Sequence, residues 1–311
     1  MAHAPNTNGL IAVDKMGGKV LFLNPATFAT EVVLEGFPRT VHELLVVPDT
    51  GLGYVPIFGD GIHGRNPNPG HLLCVFDLAR RAHVGDIDLS PYIAPHTMRR
   101  GPDGLIYITC ENSAVVAVID PSSRKVIDAI DSGSTNGHRL VIAPDGQRIY
   151  TENEEDRTVS IIDLPNRMLL DQIELPHALA GIEISADGTT IVAVDDEEPG
   201  LFLIDTGDSE IARTVRLEGV PEAAQIARYS PDHRLLAVTS LKSGTVSLID
   251  AAFRAQVAIK VGKQPMDMAF RGDELFVACQ GDGSVHVIDI PARSVKLKFA
   301  AGTGCESLAF F

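Results

Sequence analysis

The chain has no tryptophan, and only 5% of its residues are aromatic. Surfaces that stack sugars or clamp peptides are built from such rings, so neither is expected. Basic residues are scarce as well, with 26 Lys and Arg against 41 Asp and Glu and a formal net charge of -15. That balance favours solubility and opposes the phosphate contacts on which binding to nucleic acid or anionic lipid depends. Four scattered cysteines, Cys74, Cys110, Cys279 and Cys305, form no CxxC pair. Neither a disulfide framework nor a thiolate zinc knuckle is suggested, and reduced, buried thiols are expected. No apolar run is long enough to span a membrane, and MAHAPNTNG lacks the basic start and apolar stretch of a secretory signal. A soluble cytoplasmic protein with no nucleic-acid or membrane partner is the expectation. Walker loops, GxSxG and HExxH are all missing, which removes phosphate cradles and hydrolase elbows. Helical periodicity is almost missing too.

What the chain does have is repetition. A short β-branched or apolar run closed by Asp or Asn occurs seven times: VLFLN ending at Asn24, LCVFD at Asp77, VAVID at Asp120, VSIID at Asp163, LFLID at Asp205, VSLID at Asp250 and VHVID at Asp289. Successive spacings are 53, 43, 43, 42, 45 and 39 residues, a period in the range of propeller blades with one long unit. A second element alternates with the first: LLVVPDTG, RRGPDG, LVIAPDG, IEISADG, IARYSPD and MAFRGD. Each unit therefore gives strand, turn, strand, loop, strand, turn, strand, or four strands per repeat.

Through GHRLVIAPDGQRIYTENEEDRTVSIIDLPNRMLLDQIEL and its relatives the chain resembles the YVTN-type seven-bladed β-propellers along essentially its whole length. The resemblance implies an all-β ring of four-stranded antiparallel blades, one domain over residues 1–311, and leaves function open because propellers host unrelated activities. The ends support closure. LIAVDKMGGKVLFLNPATFATEVVL supplies the last three strands of a blade, and CESLAFF supplies its innermost strand.

Equivalent positions of the inner strands meet at the mouth of a propeller's channel. Six residues before the turn proline stand His42, His96 and His138 in three consecutive units. The same column continues with Ala180, Gln225 and Met266, and the matching residue of CESLAFF is Glu306. Around a closed ring Glu306, His42, His96 and His138 form a contiguous arc. Three neutral imidazoles suit one divalent metal ion, zinc first, with iron, manganese, nickel or copper as alternatives, and Glu306 as a fourth ligand, an orienter or a base. Channel histidines that only bind water and backbone carbonyls are the plain alternative.

Gln225 and Met266 would wall the open side where a small organic substrate approaches. Three residues upstream, Arg39, His177, Glu222 and Lys263 are candidates to orient it or move protons, alongside solvated-loop roles. Arg99, Arg100 and Arg139 are expected to pack blades together or form ion pairs. The insert FGDGIHGRNPNPGH, residues 58–71, lengthens one mouth loop and brings His63, Arg65 and His71 as lid candidates. The acidic stretches 152–156 and 195–198 are expected to be solvated turns, since the DxDxDG spacing of a calcium loop is absent.

The resulting expectation is a metal-dependent hydrolase or lyase acting on a small molecule, with Glu306 or His177 carrying the proton. Propeller lactonases and virginiamycin B lyase are similar in architecture. Two alternatives stand beside it. One is a non-haem iron oxygenase, by resemblance to histidine-lined propellers that cleave carotenoids, although a fourth histidine is not evident. The other is a non-catalytic ligand- or protein-binding scaffold.

Overall fold

A computed structural model describes residues 8–38, 40–61 and 65–311. Among the described residues the chain forms seven four-stranded antiparallel sheets, with two single-turn 3-10 helices at 111–113 and 154–156. Numbering follows the chain: blade one spans 45–88, and blades two to six follow in order to residue 300. Blade seven joins the two ends, with Cys305–Phe310 as its inner strand and Leu10–Asp14, Lys19–Leu23 and Thr30–Leu34 as the other three. Inner strands of adjacent blades touch around the ring, and the inner strand of blade seven contacts both blade six and blade one. The protein is a seven-bladed β-propeller. No helix among the described residues is long and apolar enough to cross a membrane.

The repeat has a local cause in every blade. The Asp or Asn that closes each third strand turns its side chain onto the backbone of the next turn: Asn24 onto Ala26, Asp77 onto Arg80, Asp120 onto Ser122, Asp163 onto Asn166, Asp205 onto Gly207, Asp250 onto Arg254 and Asp289 onto Ala292. These short side chains supply the acceptor that a tight turn into the outer strand needs. Three or four residues further on, each turn has a left-handed residue: Phe28, Arg81, Arg124, Arg167, Ser209, Phe253 or Arg293. In the PDG and ADG turns the left-handed position falls on Gly104, Gly146 and Gly188, where a Cβ would be strained.

Packing explains why the strands look apolar throughout. Seven buried clusters each lie between two neighbouring blades. Alternate residues of one strand feed different clusters: Ile106, Ile108 and Cys110 face blade one, while Tyr107 between them faces blade three. A strand buried on both faces loses the polar alternation of a half-exposed one. All four cysteines are free and buried.

Candidate metal centre at the channel mouth

His96 sits where the inner strand of blade two breaks register, between the pairs Pro95–Cys110 and Met98–Ile108. Ala180, Met266 and Glu306 occupy corresponding irregularities in blades four, six and seven. A bulge frees a residue from the ladder and re-aims its side chain, which is how a strand otherwise committed to blade packing presents a group to the axis. His138 precedes the inner strand Arg139–Ile142 and donates its backbone N–H to Glu152 O (2.9 Å), and His42 does likewise to Pro56 O (3.2 Å).

The three imidazoles stand side by side and buried. Ring centroids of His42 and His96 are 4.3 Å apart and those of His96 and His138 are 3.8 Å apart, with Phe58 edge-on to the first two. Donor atoms lying within 4.8 Å of one another define three overlapping groups along this arc: His42–Glu43–His96, His96–Glu111–His138 and His138–Glu152–Glu154. These histidine and carboxylate clusters can hold a metal ion. The middle group is the best fit, because Glu43 already pairs with Arg139 at 2.6 Å and both are buried.

His96 contacts Thr97 Oγ1 through Nδ1 (3.0 Å), and its Nε2 is buried without a hydrogen bond. An imidazole nitrogen left so costs about 1–3 kcal/mol, which a coordinated cation would recover. Burial, then the charge of His138, drives the His96 pKa well below its ordinary value; burial and Lys15 do the same to His42. Both rings are therefore neutral, the form that offers a lone pair to a metal. His138 differs. Burial opposes its charge, yet Glu154 and Glu152 overcome that and push its pKa up to about 10, so an ion bound here would have to displace the Nε2 proton.

Glu306 is beside His42 but in none of the three donor groups. Its Oε1 is 3.1 Å from His42 Nδ1, out of line for a hydrogen bond, while Lys15 (3.1 Å) and Gln280 (2.9 Å) reach Oε2. Lys15 also contacts His42 Nε2 at 2.9 Å. Burial raises the Glu306 pKa despite Lys15.

The remaining candidates are spread around the same face. Gln225 and Met266 are half-buried, Glu222 and Lys263 are exposed, and His177 bonds Asp195 Oδ2 (2.7 Å). Arg39 and His63 lie outside the described residues. Arg65 is exposed, and His71 pairs with Asp88 on the edge of blade one (3.0 Å). The two ends of the insert lengthen a hairpin, its ladder reaching Gly59–Pro69. Arg139 and Arg100 form ion pairs, to Glu43 and Asp49, while Arg99 donates to Met98 O.

The acidic stretches depart from the expectation of solvated turns. Glu152, Asn153 and Asp195 are buried, because they close strands at the mouth and serve as acceptors or donors for neighbouring backbone and side chains. Only Glu155, Asp156 and 196–198 are exposed as expected of such turns. Lys15, Glu111, Glu152 and Glu154 were the residues the histidine column could not reveal. Each ends the second strand of a blade or follows it within two residues, so a second column, read at the loop after that strand, contains them.

No protein-family model matches the sequence, and no curated protein resembles it at a significant level. Solved structures do share the fold. Kuenenia stuttgartiensis hydrazine synthase superposes with a TM-score of 0.72 at 18% identity, over 86% of this chain and 88% of that one. The dihydro-heme d1 dehydrogenase NirN, in complex with DHE, gives a TM-score of 0.65 at 12% identity, over 96% of this chain and 64% of that one.

Proposed function

We propose that this protein is a divalent-metal-dependent enzyme acting on a small polar organic molecule at the mouth of the propeller channel, by hydrolysis or elimination. The observation that carries the reading is His96, a fully buried, neutral imidazole whose Nε2 has no hydrogen bond and stands between His138, Glu111 and His42. His96, His138 and Glu111 would hold the ion, with His42 next to them. Two imidazoles and a carboxylate suit zinc, manganese or iron. When bound, the ion supplies Lewis acidity toward a substrate oxygen.

The chain's own groups account for orientation and proton movement. Glu152 fixes the His138 ring through Nδ1 (3.0 Å), as a carboxylate behind a metal-binding histidine does. Glu306, with its pKa raised by burial, is the proton acceptor or donor, and Lys15 and His42 form the hydrogen-bonded chain that holds it. Gln225 and Met266 face the substrate from the opposite side of the mouth, with His177, Glu222, Arg39 and Lys263 around them. Both solved propellers above carry the names of enzymes, but at such low identity they speak for the fold, and the reading rests on the site.

Elemental analysis of protein purified without a histidine tag tests it. Near-stoichiometric metal is expected, lost in His96→Ala while circular dichroism and a cooperative melt are retained. A metal-free protein that also takes up none of these ions on dialysis would overturn the reading and favour a binding scaffold. The two-histidine, one-carboxylate set is also that of non-haem iron oxygenases, so electron paramagnetic resonance of the same sample separates an iron enzyme from a zinc one.

A further inference from the structure

On the same face as the histidine arc, between blades five and six, lies a cavity of about 830 Å3. Its walls are the loop 241–244 of blade five, the connection 260–264 into blade six, and Asp282, His286 and Lys298 of blade six. Four exposed ammonium groups line it: Lys242, Lys260, Lys263 and Lys298. Among the described residues none of the four has a carboxylate within 4.0 Å; the lysine ion pairs are those of Lys15, Lys19 and Lys296. The acidic residue in the lining, Asp282, is engaged by the Lys263 backbone N–H (3.2 Å) and the Ser284 hydroxyl (2.6 Å). Four positive charges thus face one negative charge, in a chain whose net charge is -15.

Such a concentration of like charge is self-repelling unless something of opposite sign sits within it. A second observation points the same way. Ser243 is only 8% exposed and its Oγ makes no hydrogen bond, and His286 Nδ1, in the same lining, is also buried and unpartnered. Lys260 is held in place by donating to Ser243 O (2.5 Å). A hydroxyl, an imidazole N–H and several ammonium groups are what an oxyanion with more than one negative charge requires.

We propose that this cavity is a binding site for a small, multiply charged anion of the phosphate or polycarboxylate class. Lysines provide point charges that tolerate varied geometry, and the cavity is roomy enough for an organic molecule carrying the anionic group. The site needs none of the histidines of the arc, and shares with the metal reading only Lys263, which neither variant below alters.

Isothermal titration of the full chain, stripped of metal with EDTA, tests the proposal with pyrophosphate and citrate as probes and chloride at matched ionic strength as control. One-site binding of at least one probe is expected. Tighter pyrophosphate binding assigns phosphorylated compounds, and tighter citrate binding assigns polycarboxylates. The double variant Lys242→Gln/Lys298→Gln, both exposed positions, should weaken binding by about tenfold or more with its melting temperature unchanged. Ser243→Ala should weaken it by a smaller factor. No heat above the chloride control for either probe, or an affinity unchanged in both variants, would overturn the assignment.

Discussion

A buried imidazole has two nitrogens to satisfy, and the histidines of this protein do so in different ways. His96 meets one demand locally, through Thr97, and leaves the other open at the centre of the arc. His138 is flanked by carboxylates on its Nδ1 side, and His42 is held between Lys15 and Glu306. His177, outside the arc, shows the ordinary case of a half-exposed ring on a buried aspartate. The hydrogen bond its ring donates to Asp195 raises the His177 pKa above 6.5. A folded-state pKa above the unfolded one stabilises the protein fully below the unfolded value, and that stabilisation fades as pH rises through the folded value. An NMR titration should therefore place the His177 midpoint above 6.5, and Asp195→Asn should lower it. An unshifted midpoint in that variant would show that the pair seen here does not persist in solution.

At the scale of strands, the seven Asp- or Asn-closed runs revealed the blades because each one caps its own turn, so the signal and its structural cause lie within a few residues. The histidine column was legible for a related reason: it is tied by spacing to the following turn. Lys15 meets His42, and Glu111 meets His138, only when separate blades close, and spacing within one repeat gives no sign of those contacts. The buried state of Glu152 was hidden inside an acidic run whose other members are solvated. Blade seven is the element most exposed to test, because its inner strand comes from the opposite end of the chain. Asp14 binds the backbone of Thr303 (3.0 Å) and Gly304 (2.8 Å), bridging the two ends. Truncation after Gly304 removes Cys305–Phe310, leaves Leu10–Asp14 as an uncovered sheet edge and opens the buried cluster around Leu308. Size-exclusion chromatography should then show aggregation and calorimetry a loss of the cooperative transition. A monomeric, cooperative truncated protein would mean that closure is dispensable.

Across the whole molecule, the channel is held by charge as well as by the apolar clusters between blades. Glu43 of blade one reaches Arg139 of blade three, past blade two, and Arg228 of blade five pairs with Asp267 of blade six (3.1 Å). Burial alone would raise the Glu43 carboxyl, but Arg139, with Arg228 and Arg99 further off, brings it down to about 2. Removing one partner of a buried pair strands the other, so Glu43→Ala should destabilise the fold by about 3–5 kcal/mol in urea denaturation. A loss under about 0.5 kcal/mol would show that water already screens the pair.

The way blade seven is sewn together has a mechanical consequence. Leu10 faces Phe310 and Asp14 faces Cys305, so the free ends of both strands leave the seam at the same side. A load applied between Leu10 and Phe310 falls on one rung of the ladder at a time and peels the seam, where a parallel arrangement would resist in shear.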